Sequence, residues 1–151
     1  MKGATFRRLA IARPRPRLTA ADRLYHYDLP SAGVDGNEVG IQLATRTLIA
    51  RQMPRVMVFA VPNGAKRSRW AATNARREGI MAGVADLCCI WAGGNTGWLE
   101  IKPRSGHVSE EQHDWLNRMA GLGHRVAVVR SAESALRVLR GWGAPWAGGA
   151  A

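Results

Sequence analysis

Asp86, Glu100 and Lys102 bring two carboxylates and an amine to one end of a predicted hairpin. Asp86 opens an apolar run that ends at Trp91. Ala92-Gly93-Gly94-Asn95 reads as a tight turn, and Gly97 to Lys102 is the returning strand. The period of two in a strand puts Glu100 and Lys102 on one face, with Leu99 and Ile101 on the other. Their Cα atoms then lie roughly 6.5 Å apart. Antiparallel pairing carries Asp86 to the Glu100–Lys102 end. Hard carboxylate oxygens in such a cluster suit Mg²⁺ or Mn²⁺, and the neighbouring amine can orient a water. The same residues would also serve as a cross-strand ion pair at a sheet edge.

The flanking elements position this cluster. A helix is expected from about Gly36 to Gln52, with Ile41, Ala44 and Leu48 as its apolar stripe, Asp35 as its cap and Pro54 as its stop. Glu38 lies on it, at a spacing from Asp35 that a capping box would also want. Arg55 to Val61 reads as a buried strand, and Pro62-Asn63-Gly64 turns out of it. Ser68 to Glu78 reads as a helix stopped by Gly79. Ser109-Glu110-Glu111-Gln112 is a capping box, and the helix it opens has Trp115, Leu116 and Met119 on its apolar side. Arg125 to Val129 is a further strand, and Ser131 caps a last helix to about Leu139. The order α-β-α-β-β-α-β-α describes an α/β domain, a mixed sheet flanked by helices.

The chain has 151 residues, enough for one domain with a sizeable core. Lys and Arg total 22 against 11 Asp and Glu, a net charge of +11 that points to a polyanionic partner. No apolar run is long enough to span a bilayer, and no helix sets a broad apolar face against a lysine-rich one, which disfavours a membrane role. Arg13 cuts the apolar run at Leu9–Ala12 too short for a secretory leader. Cys88 and Cys89 are neighbours whose side chains leave a strand on opposite faces, so they read as buried thiols of a reducing, cytoplasmic compartment. Residues 1–33 read as a basic, flexible arm carrying Lys2, Arg7, Arg8, Arg13, Arg15, Arg17 and Arg23. Residues 34–140 form the domain, and 141–151 a frayed Gly/Ala-rich tail.

Several ordered motifs resemble the VRR-NUC branch of the PD-(D/E)xK nuclease superfamily. They are Pro62-Asn63-Gly64 with Arg67, Gly79 through Asp86, Glu100-Ile101-Lys102, Lys102 through Gly106, Ser109-x-x-Gln112, and Gly123 through Ser131. The likeness covers about residues 36–139. Ala85 departs from it, standing where the family usually has a proline that shapes the backbone. The resemblance implies a restriction-endonuclease-like fold and a metal-dependent nuclease. It implies that Glu38, Asp86, Glu100 and Lys102 form the active site, with Gln112 close by. Asp86, Glu100, Glu38 and the carbonyl of Ile101 would hold Mg²⁺ or Mn²⁺, and Lys102 would act on the attacking water. Small free-standing members are similar to resolvases of branched DNA. That implies a four-way (Holliday) junction as first substrate. The junction's two-fold symmetry calls for a homodimer as working unit, and the short length and lack of a targeting segment suit a phage or bacterial setting.

Lys66, Arg67, Arg69, Arg76, Arg77 and Arg104 are the candidate DNA-binding residues. The loop Pro62 to Arg67 can bind phosphate or simply turn the chain. His26, His107, His113 and His124 have no metal-ligand spacing. Trp91 and Trp115 read as core, and Trp142 and Trp146 as core or as stacking surface. A nickase, a flap-type nuclease and a non-catalytic DNA-binding module are the alternative functions.

Overall fold

A computed structural model of the chain describes residues 20–62 and 78–148. Its five-stranded mixed sheet has the order β1-β5-β4-β3-β2. The strands are β1 (His26–Tyr27), β2 (Met57–Ala60), β3 (Leu87–Trp91), β4 (Asn95–Ile101) and β5 (Arg125–Val129). Three described helices flank it: α1 (Glu38–Gln52), α2 (Glu110–Gly121) and α3 (Ala132–Gly141). β1 and β4 both run parallel to β5, whereas β3 is antiparallel to β4 and β2 to β3.

Strand periodicity divides the core into two layers. Leu87, Cys89, Trp91, Leu99, Ile101, Ala127 and Val129 face α1 and α3, where Ile41, Ile49, Met53, Leu136 and Leu139 complete the larger core. The opposite face packs Val126, Val128 and Trp98 against Trp115 and Leu116 of α2. Trp98 meets Trp115 edge to face, with ring centroids 5.4 Å apart. Cys88 and Cys89 are both buried and free, and burial pushes the Cys89 thiol up to about 12.

The expected arm gives up its second half to the domain. His26 and Tyr27 pair with Ala127 and Val128, adding a fifth strand to the sheet. Asp28 is tied to β5 by its own N–H to the Val128 carbonyl (3.0 Å) and by its carboxylate, which accepts from the Arg130 N–H (3.1 Å). A strand of two residues leaves no periodicity to read, and Pro30 beside it favours a loop. Residues 1–19 lie outside the described residues.

Within the expected C-terminal tail, residues 142–147 also pack on the domain, and residues 149–151 lie outside the described residues. Trp142 and Trp146 pack on the larger core, and the Ala147 N–H donates to the Gln52 carbonyl at 2.7 Å. A Cβ on Gly97 would come within 2.7 Å of the Trp142 ring, so the glycine in β4 makes room for this tryptophan. Arg140 lies 3.6 Å over Trp146.

α1 starts two residues later than the sequence predicted. Asn37 caps it, its side chain accepting from the Gly40 N–H at 2.7 Å, while Asp35 turns away to Arg104 at 3.2 Å. Glu38 is therefore the first helical residue, free of any capping-box duty. Residues 63–77 lie outside the described residues, and with them Lys66, Arg67, Arg69, Arg76, Arg77 and all of the helix expected over Ser68–Glu78 but its last residue. Among the described residues no helix is long and apolar enough to cross a membrane.

Candidate active site

The β3–β4 register carries Asp86 to Glu100. Leu87 pairs with Leu99, so Asp86, one step earlier, stands opposite Glu100. Gly83 holds the chain that leads into Asp86. Its φ is +78°, and a Cβ there would lie 2.2 Å from the Glu111 carbonyl oxygen. Only glycine allows both that backbone conformation and that approach to the first turn of α2.

Glu38, from the start of α1, joins the pair at the sheet's end. One carboxylate oxygen from each of Glu38, Asp86 and Glu100 lies within 4.8 Å of the others. Lys102 sits among them, its Nζ 3.0 Å from Glu38 Oε2 and 2.8 Å from Glu100 Oε1. Asp86 Oδ2 accepts the Ile101 N–H at 2.8 Å, which locks its carboxylate to β4. The Ile101 side chain is buried in the opposite core.

Gln112 is both a cap and a partner of the acidic cluster. Its Oε1 accepts from the Ser109 N–H at 2.9 Å, and its N–H donates to Ser109 Oγ at 3.3 Å, so both halves of the capping box form. Its remaining group, the side-chain amide, donates to Glu100 Oε1. One side chain thus closes the cap and reaches the acidic cluster.

The cluster is more enclosed than an open, solvated notch. Glu100 is 0% exposed, Lys102 6% and Asp86 9%, whereas the Glu38 side chain keeps 44%. Glu38 is thus the solvent-facing edge. Burial pushes the Glu100 carboxyl up to about 8; Asp86 adds to that push and Lys102 opposes it. Burial pulls the Lys102 ammonium down, but Glu100 and Glu38 outweigh it and its pKa ends above the ordinary lysine value. Glu100 Oε2 is buried with no hydrogen-bond partner among the described residues. An unpaired carboxylate oxygen at that depth is costly unless it holds a proton or meets a cation.

Sequence reasoning missed a polar layer beside this cluster. Arg130 is fully buried just past β5. It donates from Nη1 to the carbonyls of Pro103 (2.6 Å) and Gly106 (2.9 Å), from Nε to the Asp28 carbonyl (2.9 Å), and from Nη2 to the Tyr27 hydroxyl (3.1 Å). It pins the turn that follows Lys102. Asp28 also pairs with His26 at 2.9 Å and accepts from the Ser134 hydroxyl. Tyr25 is hydrogen-bonded to His113 Nδ1. The one signal in the sequence was Arg130 itself, a charge directly after the apolar run Val126–Val129. Arg104, a candidate DNA contact, is half-exposed and paired with Asp35. Comparison of the chain with protein-family models, with curated proteins and with solved structures found no match to any of them.

Proposed function

We propose that this protein is a divalent-metal-dependent DNA endonuclease. The observation that carries the reading is the convergence of Glu38, Asp86 and Glu100 within 4.8 Å, with the Lys102 amine between two of them. Three carboxylates against one ammonium leave a local excess of two negative charges once Glu100 is ionised, which suits a divalent cation. Carboxylate oxygens are the ligands that Mg²⁺ and Mn²⁺ prefer. Glu100 Oε2, buried and without a partner among the described residues, is an oxygen that such an ion would satisfy. The helix α1, the β3–β4 hairpin and the parallel β4–β5 pair agree with a restriction-endonuclease-like core.

Glu38, Asp86 and Glu100 would hold the ion. Bound there, it would polarise the scissile phosphate and lower the pKa of a coordinated water. The chain's own residues do the rest. The Ile101 N–H and the Gln112 amide fix the two buried carboxylates in orientation. The Lys102 ammonium is held beside the cluster, where it can donate to a phosphate oxygen and orient the water. The net charge of +11 attracts the polyanion.

The resemblance to small resolvases makes a four-way junction the first substrate and a homodimer the working unit. Two identical sites match the two-fold symmetry of a junction that must be cut on two strands. The test is a panel of duplex, nicked, flap and four-way DNA with Mg²⁺, with Mn²⁺ and with EDTA. Metal-dependent cutting that Glu100→Gln abolishes supports the nuclease. Tight DNA binding with no cutting on any substrate would leave the binding-module reading. Light scattering with and without junction DNA tests the dimer.

A further inference from the structure

The row of residues that carries the acidic cluster continues across the sheet. Glu100 on β4 lies opposite Val128 on β5, and Val128 lies opposite Tyr27 on β1. Residues directly opposed in neighbouring strands share a face, so Tyr27 stands on the Glu100 side, two strand spacings or about 10 Å away. Tyr25 and Tyr27 both pack on the α2 side of the sheet.

This face holds polar side chains that the acidic cluster does not use. The Arg23 guanidinium lies 3.8 Å over the Tyr27 ring. That ring also stacks on His113, with centroids 6.3 Å apart and planes at 25°. The Tyr25 hydroxyl is hydrogen-bonded to His113 Nδ1. His113 is the residue after Gln112, whose amide holds Glu100. Arg23, Tyr27 and His113 therefore form a stack whose last member neighbours the acidic cluster's own positioning residue.

Arg23 is held and only partly satisfied, its guanidinium sharing a side-chain hydrogen bond with Tyr25. Its Nε is buried with no hydrogen-bond acceptor among the described residues. A buried N–H on a cation is costly to leave unpaired, and a phosphate oxygen is the acceptor that a guanidinium fork fits best. The aromatic face of Tyr27 fixes the cation without neutralising it.

We propose that Arg23, seated on Tyr27 beside the Tyr25–His113 pair, is a phosphate-binding subsite for a DNA backbone phosphate neighbouring the one held at the acidic cluster. This rests on the nuclease reading for the identity of the polymer. The subsite fixes the register of the strand, so Arg23 is a positioning residue rather than a catalytic one.

The experiment uses the full chain in EDTA, so that no cutting is needed. Binding of a short DNA is measured by fluorescence anisotropy against salt for wild type, Arg23→Ala and Arg23→Lys. A second set of DNAs carries one neutral methylphosphonate at each phosphate in turn. Arg23→Ala is expected to bind about tenfold more weakly, with the salt slope smaller by about 0.9. Arg23→Lys should recover the slope but not all of the affinity. One methylphosphonate position should weaken wild type about tenfold and leave Arg23→Ala unchanged. An unchanged slope in a folded Arg23→Ala, or the same interference pattern in all three proteins, would overturn the subsite. If Arg23→Ala fails to fold, wild type against Arg23→Lys decides. A weaker interference in the lysine variant at one position supports the subsite, and identical patterns refute it. Cleavage by wild type in Mg²⁺ is scored separately, so failure of the nuclease reading is told apart from failure of the subsite.

Discussion

The side-chain amide of Gln112 is hydrogen-bonded to the carboxylate of Glu100. The other end of the same side chain accepts the Ser109 N–H and closes the cap of α2. One residue thus couples the start of a helix to the orientation of a buried acid. Two substitutions separate these duties. Gln112→Ala removes both, and should cost about 1 kcal/mol of stability through the cap and about 10–100-fold in cleavage through the freed Glu100. Gln112→Glu keeps an acceptor for Ser109 but sets a carboxylate against Glu100. Its melting temperature should stay closer to wild type, while cleavage falls at least as far. Thermal unfolding beside single-turnover rates checks this. A Gln112→Glu variant that cuts at the wild-type rate would break the link to Glu100.

Lys102 is the cation that the structure places between Glu38 and Glu100. Lys102→Met keeps the apolar stem and removes the charge, leaving three converging carboxylates unbalanced. The variant should unfold at a clearly lower temperature in EDTA. Added Mg²⁺ should raise its melting temperature by more than it raises that of wild type, because an ion at the site replaces the missing charge. Cleavage should be abolished in both conditions. Scanning fluorimetry over a Mg²⁺ series is the measurement, and equal shifts in the two proteins would contradict a shared metal site.

The Glu100 carboxyl sits at about 8 in the folded chain against an ordinary 4.5. Between these values the folded state holds a proton that the unfolded state has released, so its contribution to stability falls as pH rises. The contribution is fully present below about pH 4.5 and is lost as pH passes about 8, at up to about 1.4 kcal/mol per pH unit. Metal-free wild type should therefore lose stability across that window relative to Glu100→Gln. Binding of Mg²⁺ needs the ionised carboxylate, so near pH 7 it should release a proton. Calorimetry in two buffers of different ionisation enthalpy reads that proton. Parallel stability curves for the two proteins would remove the buried acid from the account.

The hairpin and the meeting of its acidic residues were legible because they depend on local rules. A turn at Gly93-Gly94 fixes antiparallel pairing, and the period of two fixes which side chains share a face. That is enough to place Asp86 opposite Glu100. The capping box was equally plain, but nothing local says that the free end of Gln112 reaches another element. Glu38 was ambiguous because it stands three residues after Asp35, the expected cap, where the structure instead caps the helix with Asn37. Arg104 pairs with Asp35, and that long-range pairing accompanies a helix that starts at Glu38. The layer of Tyr25, Tyr27, Asp28 and Arg130 was hidden for a different reason. A two-residue strand has no pattern of its own, and its pairing with β5 joins residues about a hundred positions apart.

Gly83 gives a steric test of how Asp86 is placed. A methyl group there meets the Glu111 carbonyl and demands a φ of +78° of an L-residue. Gly83→Ala should destabilise the domain by about 3 kcal/mol through combined backbone strain and overpacking. It should also lower cleavage at temperatures where the protein stays folded, because the segment that presents Asp86 must shift. A change on the exposed surface, such as Gly79→Ala, meets no atom within 4 Å among the described residues although its φ is +80°, and it isolates the strain alone. The difference between the two unfolding temperatures measures the steric clash. Equal losses of stability would show that Gly83 acts only through its backbone.

The basic N-terminus should be dispensable for folding up to residue 19 and not beyond it. Lys2, Arg7, Arg8, Arg13, Arg15 and Arg17 precede the described residues. Removing residues 1–19 should leave a folded protein that cuts DNA at an unchanged rate when saturated. Its DNA affinity should be weaker, and the slope of log affinity against log salt should drop by about 0.9 for each phosphate that the leader no longer neutralises. Removing residues 1–30 is a different operation. It takes away β1, the Tyr27 hydroxyl and the Asp28 carbonyl, two of the groups that accept from Arg130. It also takes the Asp28 carboxylate that accepts from Ser134. A fully buried guanidinium that loses two of its acceptors and keeps the Pro103 and Gly106 carbonyls is costly, so the longer deletion should fail to fold or melt far below the shorter one. Salt-dependent anisotropy on the first variant and thermal unfolding of both decide the matter. A stable protein lacking residues 1–30 would show that β1 and Asp28 are appended to the domain rather than part of its core, and an unchanged salt slope without residues 1–19 would show that the basic leader does not touch DNA.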